Sequence, residues 1–505
     1  MHTLPIPKNN HVSAVKKGKV HFILFSAAIL LIHVNLWGQA LKPYAKNPFY
    51  WEYKGEPVML LGGSDEDNIF QWTGTKLTGQ LNLMKSVGAN YIRNTMSDRN
   101  EGGEWGPDSE GTTLIYAFKK IGDKYDLNEW NDEYWDRWDT FLKETYDHQI
   151  FVQNEIWDGF DYTDLGQPDG ISEPLPPTWS VHPWNPKNNV NYTSQETGIP
   201  EVWTIMPSHQ LNPFLRTVQL NVTVVLQFQE KYIRKMIKVA SKYDHVLWTI
   251  QNEYNGDNEW ADFWADFLLQ EAKDVGYNIH VTDMKDPADL SDPSHQYVID
   301  HPELYAYLDV SQNSHWGGQA YWDNFKEFRC KILHAPRPIN NTKMYVQAWH
   351  EWDDYNTPEL AAEFIDIYAP AKLWQNTLGG AASARFHRPP IIYGLGLTSG
   401  AQIHIKGLRM LLDVIDVFSC VPHNDLLSER NSNEAYCMAN PGVEYAVYFP
   451  DGGSVKLDLV AASDTLRMKW LDIENNQWGS EVEIEGGSMV SLQTPGGGHW
   501  ALAIF

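Results

Sequence analysis

Two glutamates in this sequence stand close behind short apolar runs of the kind that form buried strands. Glu253 lies beside Asn252 in the run LWTIQNEY at 247–254, and Glu351 lies in KMYVQAWHEW at 343–352. A carboxyl group at the carboxyl end of a parallel barrel strand points into the mouth of the barrel. Two such groups in one cleft can protonate a leaving glycosidic oxygen and attack the anomeric carbon. We therefore take Glu253 and Glu351 as a candidate catalytic pair.

The spacing of the two glutamates agrees with a repeating β/α architecture. They are 98 positions apart, and three units of a barrel of about 250 residues span roughly 94 residues. If Glu253 ends strand four, Glu351 ends strand seven and faces it across the mouth. Asn252 can donate to a sugar hydroxyl, which makes Glu253 the candidate general acid. Retaining enzymes hold the carboxyl groups about 5–5.5 Å apart and inverting ones about 6.5–9.5 Å apart. The separation along the sequence is compatible with both mechanisms.

Short apolar segments alternate with amphipathic ones from about residue 55 to residue 420. Apolar residues at three- and four-residue steps predict helices between the strands. The alternation predicts an α/β fold, specifically a (β/α)8 barrel. A doubly wound open sheet is the alternative, but no glycine-rich phosphate turn follows the first strand. Strands are predicted at 58–62, 91–95, 150–154, 246–251, 279–282, 308–313, 344–348 and 381–385, and helices at 77–87, 129–146, 224–242, 260–275, 320–330, 358–378 and 404–417.

Composition divides the chain into three parts. Residues 1–40 carry lysines before an apolar run that ends in small residues, which predicts a signal peptide cleaved after Ala40. An uncleaved anchor is the alternative, but the run barely reaches the ~20 residues that a span needs. The barrel is predicted over 41–424. Short strand-like runs over 425–505 predict an antiparallel β-sandwich, either a brace for the barrel or a sugar-binding module.

Two connections, 97–149 and 157–216, are too long for a minimal barrel. Both follow predicted strands, so we expect them at the barrel mouth, where they shape the substrate cleft. The second connection contains Trp157, Trp179 and Trp184. These indoles are candidate platforms for stacking sugar rings, with packing inside the loop as the alternative.

The motifs resemble those of the clan A (β/α)8 glycoside hydrolases, in which Asn-Glu follows strand four and the nucleophile follows strand seven. Over about 48–505 the chain is similar, more narrowly, to apiosidase-like bacterial hydrolases that end in a small β domain named for collagen binding. The similarity includes FYWEYKGEPVMLLGG at 49–63 and LWQNTLGGAA at 373–382. It implies that Glu253 is the acid/base and Glu351 the nucleophile. The sequence departs from the family at GSDEDN (63–68) and at WHE (349–351), where the family has Gly-Glu.

Residues after strands two and six are candidates for positioning the substrate. Arg93 and Asn94 end strand two, and a cation beside Glu351 would keep that carboxylate ionised. The resemblance implies that an arginine here orients the nucleophile. His315 and Trp316 follow strand six. The resemblance implies a histidine contact to the bound sugar, and a hydrogen-bonded core histidine is the alternative.

Charged residues follow predicted strands eight and one, and the two groups would suit ligands of opposite charge. Arg385, His387 and Arg388 form a basic group on an acidic protein, which predicts a uronate or sulfate on the substrate. Asp65 and Asp67 supply oxygen ligands that a hard cation would accept. So short an acidic cluster is more often a solvated turn, and no clustered His/Cys spacing is present. We therefore expect no metal and no cofactor.

The overall charge limits the classes of partner. The chain has 505 residues, 39 of them basic and 65 acidic, for a net charge of −26. A general nucleic-acid surface or an anionic membrane surface is therefore excluded as a partner. The sequence predicts a glycoside hydrolase of plant or algal oligosaccharides, exported to the periplasm, the cell surface or the medium, with no membrane span after signal cleavage. The alternatives are a non-catalytic sugar-binding protein and a lyase or esterase, although no Gly-x-Ser-x-Gly elbow is present.

Overall fold

The computed structural model describes residues 40–97, 114–164, 177–204, 212–344, 358–387 and 396–505, with side chains from 366 onward in the fifth range. Parallel strands form the centre of the first part. Six of them hydrogen-bond in the order β5-β4-β3-β2-β1-β8, and β6 pairs with β7. The strands are β1 (Leu60–Gly63), β2 (Tyr91–Thr95), β3 (Phe151–Asp158), β4 (Val246–Asn252), β5 (Val281–Thr282), β6 (Leu308–Asp309), β7 (Ile339–Asn340) and β8 (Ser383–Phe386).

Helices separate these strands and bury one face against them. In α4, Trp260, Trp264, Leu268 and Ala272 recur every four residues and are buried, as an amphipathic helix on a sheet requires. Among the described residues, no helix combines the length and apolar character needed to cross a bilayer. The helices are α1 (Gly74–Ser86), α2 (Asp132–His148), α3 (Thr223–Ala240), α4 (Asn258–Asp274), α5 (Pro293–Asp300), α6 (Gly318–Lys331), α7 (Pro358–Leu378) and α8 (Ser399–Leu412).

The alternation of parallel strands and helices confirms the predicted α/β class. Every predicted helix overlaps an observed one, and α7 has its predicted bounds. The sequence reading missed α5, which has only eight residues and therefore no long periodic pattern. Its local signals are the N-cap Asp292, which accepts from the amide of Ser294 at 2.8 Å, and Pro293 at the first helical position.

Backbone hydrogen bonds continue beyond both edges of the six-stranded sheet. On one side the amide of Ala306, before β6, donates to the carbonyl of Val281 in β5 at 2.9 Å. On the other side the amide of Ala382, before β8, donates to the carbonyl of Ile339 in β7 at 2.8 Å. The β6–β7 pair is therefore hydrogen-bonded to the sheet at each of its edges.

The seventh described strand lies before the predicted one. It is Ile339–Asn340, and of the strand predicted at 344–348 only Met344 is described, as a parallel bridge to Phe386; the rest of that prediction lies outside the described residues. Polar residues are tolerated in this strand because they bond inside the sheet. Asn340 donates to Gln153 at 3.0 Å and accepts from the indole of Trp51 at 3.0 Å.

The two long connections form structure of their own. The first contains the hairpin Phe118–Ile121 and Lys124–Trp130, and the amide of Tyr125 donates to Asn188 of the second at 2.8 Å. Trp179 and Trp184 are buried within the second connection. They therefore pack inside the loop, which was the alternative to a role as stacking platforms. The shorter elements of the described chain are the strands Lys42–Pro43, Trp51–Tyr53 and Glu56–Val58, the helical turn Ser194–Thr197, and the 3-10 turns Ile69–Gln71, Gly159–Tyr162, Trp179–Val181, Pro213–Arg216, Ser311–His315 and Asn424–Leu426.

Residues 421–505 form the antiparallel sheets that the sequence predicts from residue 425 onward. Leu457 and Leu492 of one sheet share an apolar core with Val447 and Leu502 of the other. The first sheet contains Val421–Pro422, Tyr436–Asn440, Glu444–Phe449, Trp500–Ile504, Thr465–Asp472 and Gln477–Trp478 in spatial order, with Val482–Glu485 also paired to Thr465–Asp472, and the second contains Leu427–Ser428, Ser454–Asp458 and Met489–Gln493.

Aromatic stacking joins these antiparallel sheets to the helices of the first part. Trp374 of α7 stacks on Tyr448 with ring centroids 5.1 Å apart and planes 8° from parallel. The Trp374 indole N–H also donates to Nδ1 of His404 in α8 at 3.1 Å. Trp374 is therefore a buried link between two helices and the antiparallel sheets.

We expect Trp374→Ala to lower the free energy of unfolding by about 3–5 kcal/mol, because it leaves a large cavity and removes the donor to His404. Urea denaturation measures the change. Ile367→Ala is the matched control, since Ile367 lies on the same helix and is 53% exposed; its effect should stay within about 0.5 kcal/mol. Equal losses in the two variants would contradict the assigned role of Trp374.

Candidate active site

The candidate site lies where the parallel strands end, and Glu253 follows β4 directly. Its backbone has φ = +47°, the left-handed region that non-glycine residues rarely adopt. Residues held in this region cluster at functional sites, where the surrounding structure maintains the strain. The carboxylate is 20% exposed. The structure thus holds an accessible acid at the position that the sequence reading chose.

A lysine from the end of the seventh strand meets this acid. The ammonium of Lys343 forms an ion pair with Oε1 of Glu253 and donates to Oδ1 of Asn252 at 2.6 Å. The amide of Asn252 donates in turn to Asp158 at 3.2 Å. Lys343 is only 2% exposed, so its charge is stabilised by these contacts and not by water.

A second carboxylate stands next to Glu253. Asp286 follows β5, is half-buried, and interacts electrostatically with both Glu253 and Lys343. Burial raises the pKa of Asp286 to about 6; the charge of Glu253 adds to the shift and that of Lys343 opposes it. This part of the site therefore contains two acids that interact with one ammonium.

Arg93 is the centre of a buried ionic cluster on the other side of the strand ends. Its Nε donates to Glu155 at 2.7 Å, and its Nη1 lies 2.8 Å from Asp67. Burial alone would lower the pKa of Arg93, but the charges of Asp67 and Glu155 outweigh it and raise the pKa. The two carboxylates thus hold the guanidinium charged and fixed.

Arg385 belongs to the same cluster. Its Nη2 lies 3.1 Å from Asp67 and also donates to Ser64, while Nη1 donates to the carbonyl of Thr342 at 2.9 Å. Arg385 is fully buried, so the structure gives no support to its expected contact with an anionic sugar. Asp67 is likewise buried, which corrects its interpretation as part of a solvated turn. Arg388 lies outside the described residues.

Two further predicted substrate contacts are core residues in the structure. Trp157 is fully buried, with its ring 5.6 Å from Trp264 and 5.8 Å from Tyr232 between centroids. It offers no open ring face, which corrects its interpretation as a stacking platform. Asn94 is also buried; it donates to Asn154 at 2.9 Å and accepts from the amide of Phe70 at 3.2 Å.

The predicted residues after strand six remain within reach of the site. His315 is half-buried, its Nε2 lies 2.8 Å from Gln312, and it interacts electrostatically with Glu253. Burial lowers the pKa of His315 to about 4, although the charge of Glu253 opposes the shift, so the ring is neutral at pH 7. Trp316 is 42% exposed and donates its indole N–H to Ala288 at 3.0 Å, which leaves ring surface open to a ligand.

The structure brings together Glu253, Asn252 and His315 but places Arg93, Asn94 and Arg385 in buried networks. Glu351 lies outside the described residues. Sequence reasoning missed Lys343 and Asp286. The signal for Lys343 was the polar stretch NNTK at 340–343, which was not recognised as the end of a strand, and the signal for Asp286 was an acid four residues after a predicted strand.

One group of side chains in the described part of the chain has the spacing of metal ligands. Ligand atoms of His404, Glu474 and His499 lie within 4.8 Å of one another. The indole of Trp374 donates to Nδ1 of His404, so Nε2 of the neutral ring carries the proton and faces Glu474 at 3.7 Å. That nitrogen is a donor in this arrangement, which favours a hydrogen-bonded cluster over a metal centre.

No protein-family model matches this sequence, and no curated protein is similar to it. Solved structures are similar. A glycoside hydrolase aligns at 12% identity over 93% of this chain and 97% of its own, with a TM-score of 0.57. A glycoside hydrolase family 5 protein from Bacteroides vulgatus ATCC 8482 aligns at 14% identity over 93% of this chain and 94% of its own, also with a TM-score of 0.57. At these identities the likeness shows the fold: this chain has a fold that glycoside hydrolases use.

Proposed function

We propose that this protein is a glycoside hydrolase acting on plant or algal oligosaccharides or polysaccharides. The observation that carries the proposal is Glu253, an accessible carboxylate in a left-handed backbone beside Asn252 at the end of β4. The likeness in fold to glycoside hydrolases supports the same reaction class. As the resemblance in sequence motifs implies, the narrower relationship would be to the apiosidase-like clan A enzymes.

The proposed mechanism is a retaining double displacement. Protonated Glu253 donates to the departing oxygen while Glu351 attacks the anomeric carbon and forms a glycosyl ester. Glu253 then takes a proton from water, and the resulting hydroxide equivalent releases the sugar. His315 is placed near Glu253 to contact sugar hydroxyls, and Trp316 offers an exposed ring to stack on a sugar. Asn252 is buried and bonded to Lys343 and Asp158, so it acts on the site through these contacts and not on the sugar. Glu253 has to gain and lose a proton in each cycle.

The finer architecture belongs to the same proposal. The hydrogen bonds from Ala306 to Val281 and from Ala382 to Ile339 support closure of the parallel strands into a (β/α)8 barrel. We assign 41–424 to this barrel and 425–505 to a β-sandwich that braces it. Residues 1–40, of which only the last is described, are assigned to a signal peptide that exports the enzyme to the periplasm, the cell surface or the medium.

A non-catalytic sugar-binding protein is the second candidate. The contact between Lys343 and Glu253 favours it, because an ammonium on the carboxylate stabilises the ionised form, which cannot donate a proton. In that case the strand ends would bind an oligosaccharide without cleaving it. The two candidates differ in whether a bound oligosaccharide remains intact.

The first prediction is that the wild-type protein hydrolyses at least one member of a panel of plant and algal oligosaccharides, measured by chromatography of the products. Glu253→Gln and Glu351→Gln should each lower kcat about 10²–10⁴-fold, since each removes a group that transfers a proton or forms a bond. Glu259→Gln is the matched control, an exposed acid six residues further along. Equal activity in Glu253→Gln and wild type would remove Glu253 from the reaction.

The second prediction separates the two candidate functions. The Glu253→Gln variant, which should not turn over its substrate, should bind the oligosaccharide that the wild-type protein cleaves. Calorimetry measures this binding. Trp316→Ala should weaken this binding by about tenfold, because it removes a stacking surface. Binding to the wild-type protein with the sugar recovered intact after prolonged incubation would favour the non-catalytic candidate.

A further inference from the structure

Two acids, Glu253 and Asp286, follow the ends of β4 and β5. The amide of Tyr254 donates to the carbonyl of Met284 at 2.8 Å, and Tyr254 forms a parallel bridge with Lys285. Glu253 precedes one member of this bridge and Asp286 follows the other. In this parallel register Glu253 lies opposite Met284 and Asp286 opposite Asn255, so the two acids are offset by two residues on strands about 4.8 Å apart.

The two acids have different partners. Glu253 is in contact with the ammonium of Lys343. Asp286 has no hydrogen bond or ion pair within the part of the chain that the structure describes, yet it is half-buried and interacts with both Glu253 and Lys343. A half-buried carboxylate without a bonded partner is destabilised in its charged form. One positive and two potential negative charges thus share a small volume.

We propose that Lys343 and Asp286 are positioning residues that set the protonation of Glu253 in opposite directions. Lys343 stabilises the Glu253 carboxylate, whereas the ionised form of Asp286 stabilises the Glu253 carboxylic acid. This inference rests on the proposed function, in which Glu253 alternates between the two forms. Without Asp286, the contact with Lys343 would hold Glu253 in the form that cannot donate a proton.

The balance depends on pH because Asp286 is itself a titrating group. Its pKa is about 6, so above that pH its negative charge offsets Lys343 and helps Glu253 retain a proton. Below it, Asp286 is neutral and Lys343 acts alone. The proton is therefore shared by the pair of acids, and removal of either one changes the titration of the other.

The other titratable groups that the structure describes around Glu253 are either neutral or bonded to a partner. His315, in the turn that follows β6, is neutral because burial lowers its pKa to about 4. Glu155 of β3 is paired with Arg93. The remaining groups on the elements packed around the site are bonded: Asp158 to Asn252, Asp283 to Lys285, Asp309 to Gln153 and Lys372 to the carbonyl of Ser314. Among the residues that the structure describes, Asp286 is accordingly the unbonded acid that interacts with Glu253.

The test is a direct titration of Glu253 in the full-length protein. The 13C carboxyl resonance of Glu253, assigned as the signal lost in Glu253→Gln, is followed against pH. Asp286→Asn should lower the Glu253 titration midpoint by about one pH unit, because it removes a nearby negative charge. Lys343→Met should raise the midpoint by about one pH unit or more, because it removes the paired positive charge.

Matched variants control for general effects. Asp289→Asn changes an exposed acid on the same segment and should leave the midpoint in place, and Lys343→Arg should stay near wild type because it keeps the charge. Reciprocally, Glu253→Gln should lower the midpoint of Asp286 below 6. A midpoint of Glu253 that does not move in Asp286→Asn, or that moves in the same direction in Asp286→Asn and Lys343→Met, would overturn the inference.

The activity profile provides an independent arm. With the oligosaccharide identified by the panel as substrate, kcat/KM is measured against pH. The basic limb of this profile should shift to lower pH in Asp286→Asn and to higher pH in Lys343→Met. Opposite titration shifts without hydrolysis by any variant would support the coupling and contradict the proposed function. Hydrolysis with an unmoved basic limb in both variants would leave the function standing and overturn the coupling.

Discussion

The strand ends of this protein are governed by one constraint: a charge removed from water must be paired. Arg93 meets Glu155 and Asp67, and Asp67 in turn meets Arg385, with every partner almost completely buried. Removing one member would leave an uncompensated buried charge, which is far more costly than removing the whole set. This cluster joins the ends of β1, β2, β3 and β8 and fixes the geometry of that half of the site.

The half formed by β4 to β7 follows the same constraint with a different result. Lys343 is almost completely buried and needs Glu253, but Glu253 keeps a fifth of its side-chain surface in contact with solvent. An acid that is both paired and exposed can exchange protons and reach a ligand. Asp286 and His315 lie in the same half and are only half-buried. The buried ionic cluster thus serves as a rigid support for the less buried groups, and Glu155 of the cluster interacts with Lys343.

The C-terminal sheets contact the first part of the chain through its helices. Trp374 is buried between α8 and Tyr448, and Trp322 of α6 packs on Tyr436 with centroids 4.9 Å apart. These contacts restrain α6 and α7, the helices that follow β6 and β7. Packing of this kind favours a bracing role for residues 425–505. It also explains why apolar residues of the C-terminal sheets belong to the same continuous core as the parallel strands.

Local pattern in the sequence determined the fold class, the helices and the position of Glu253. Apolar periodicity is a local property, so β2 and α7 were predicted with their observed bounds. The same pattern could not locate β7, because Asn340 is polar and is accepted in a strand only through bonds to residues distant in sequence. Tertiary structure alone decided that Lys343 meets Glu253 and that Asp286 lies beside them, since pairing of buried charges depends on which strand ends become neighbours in space.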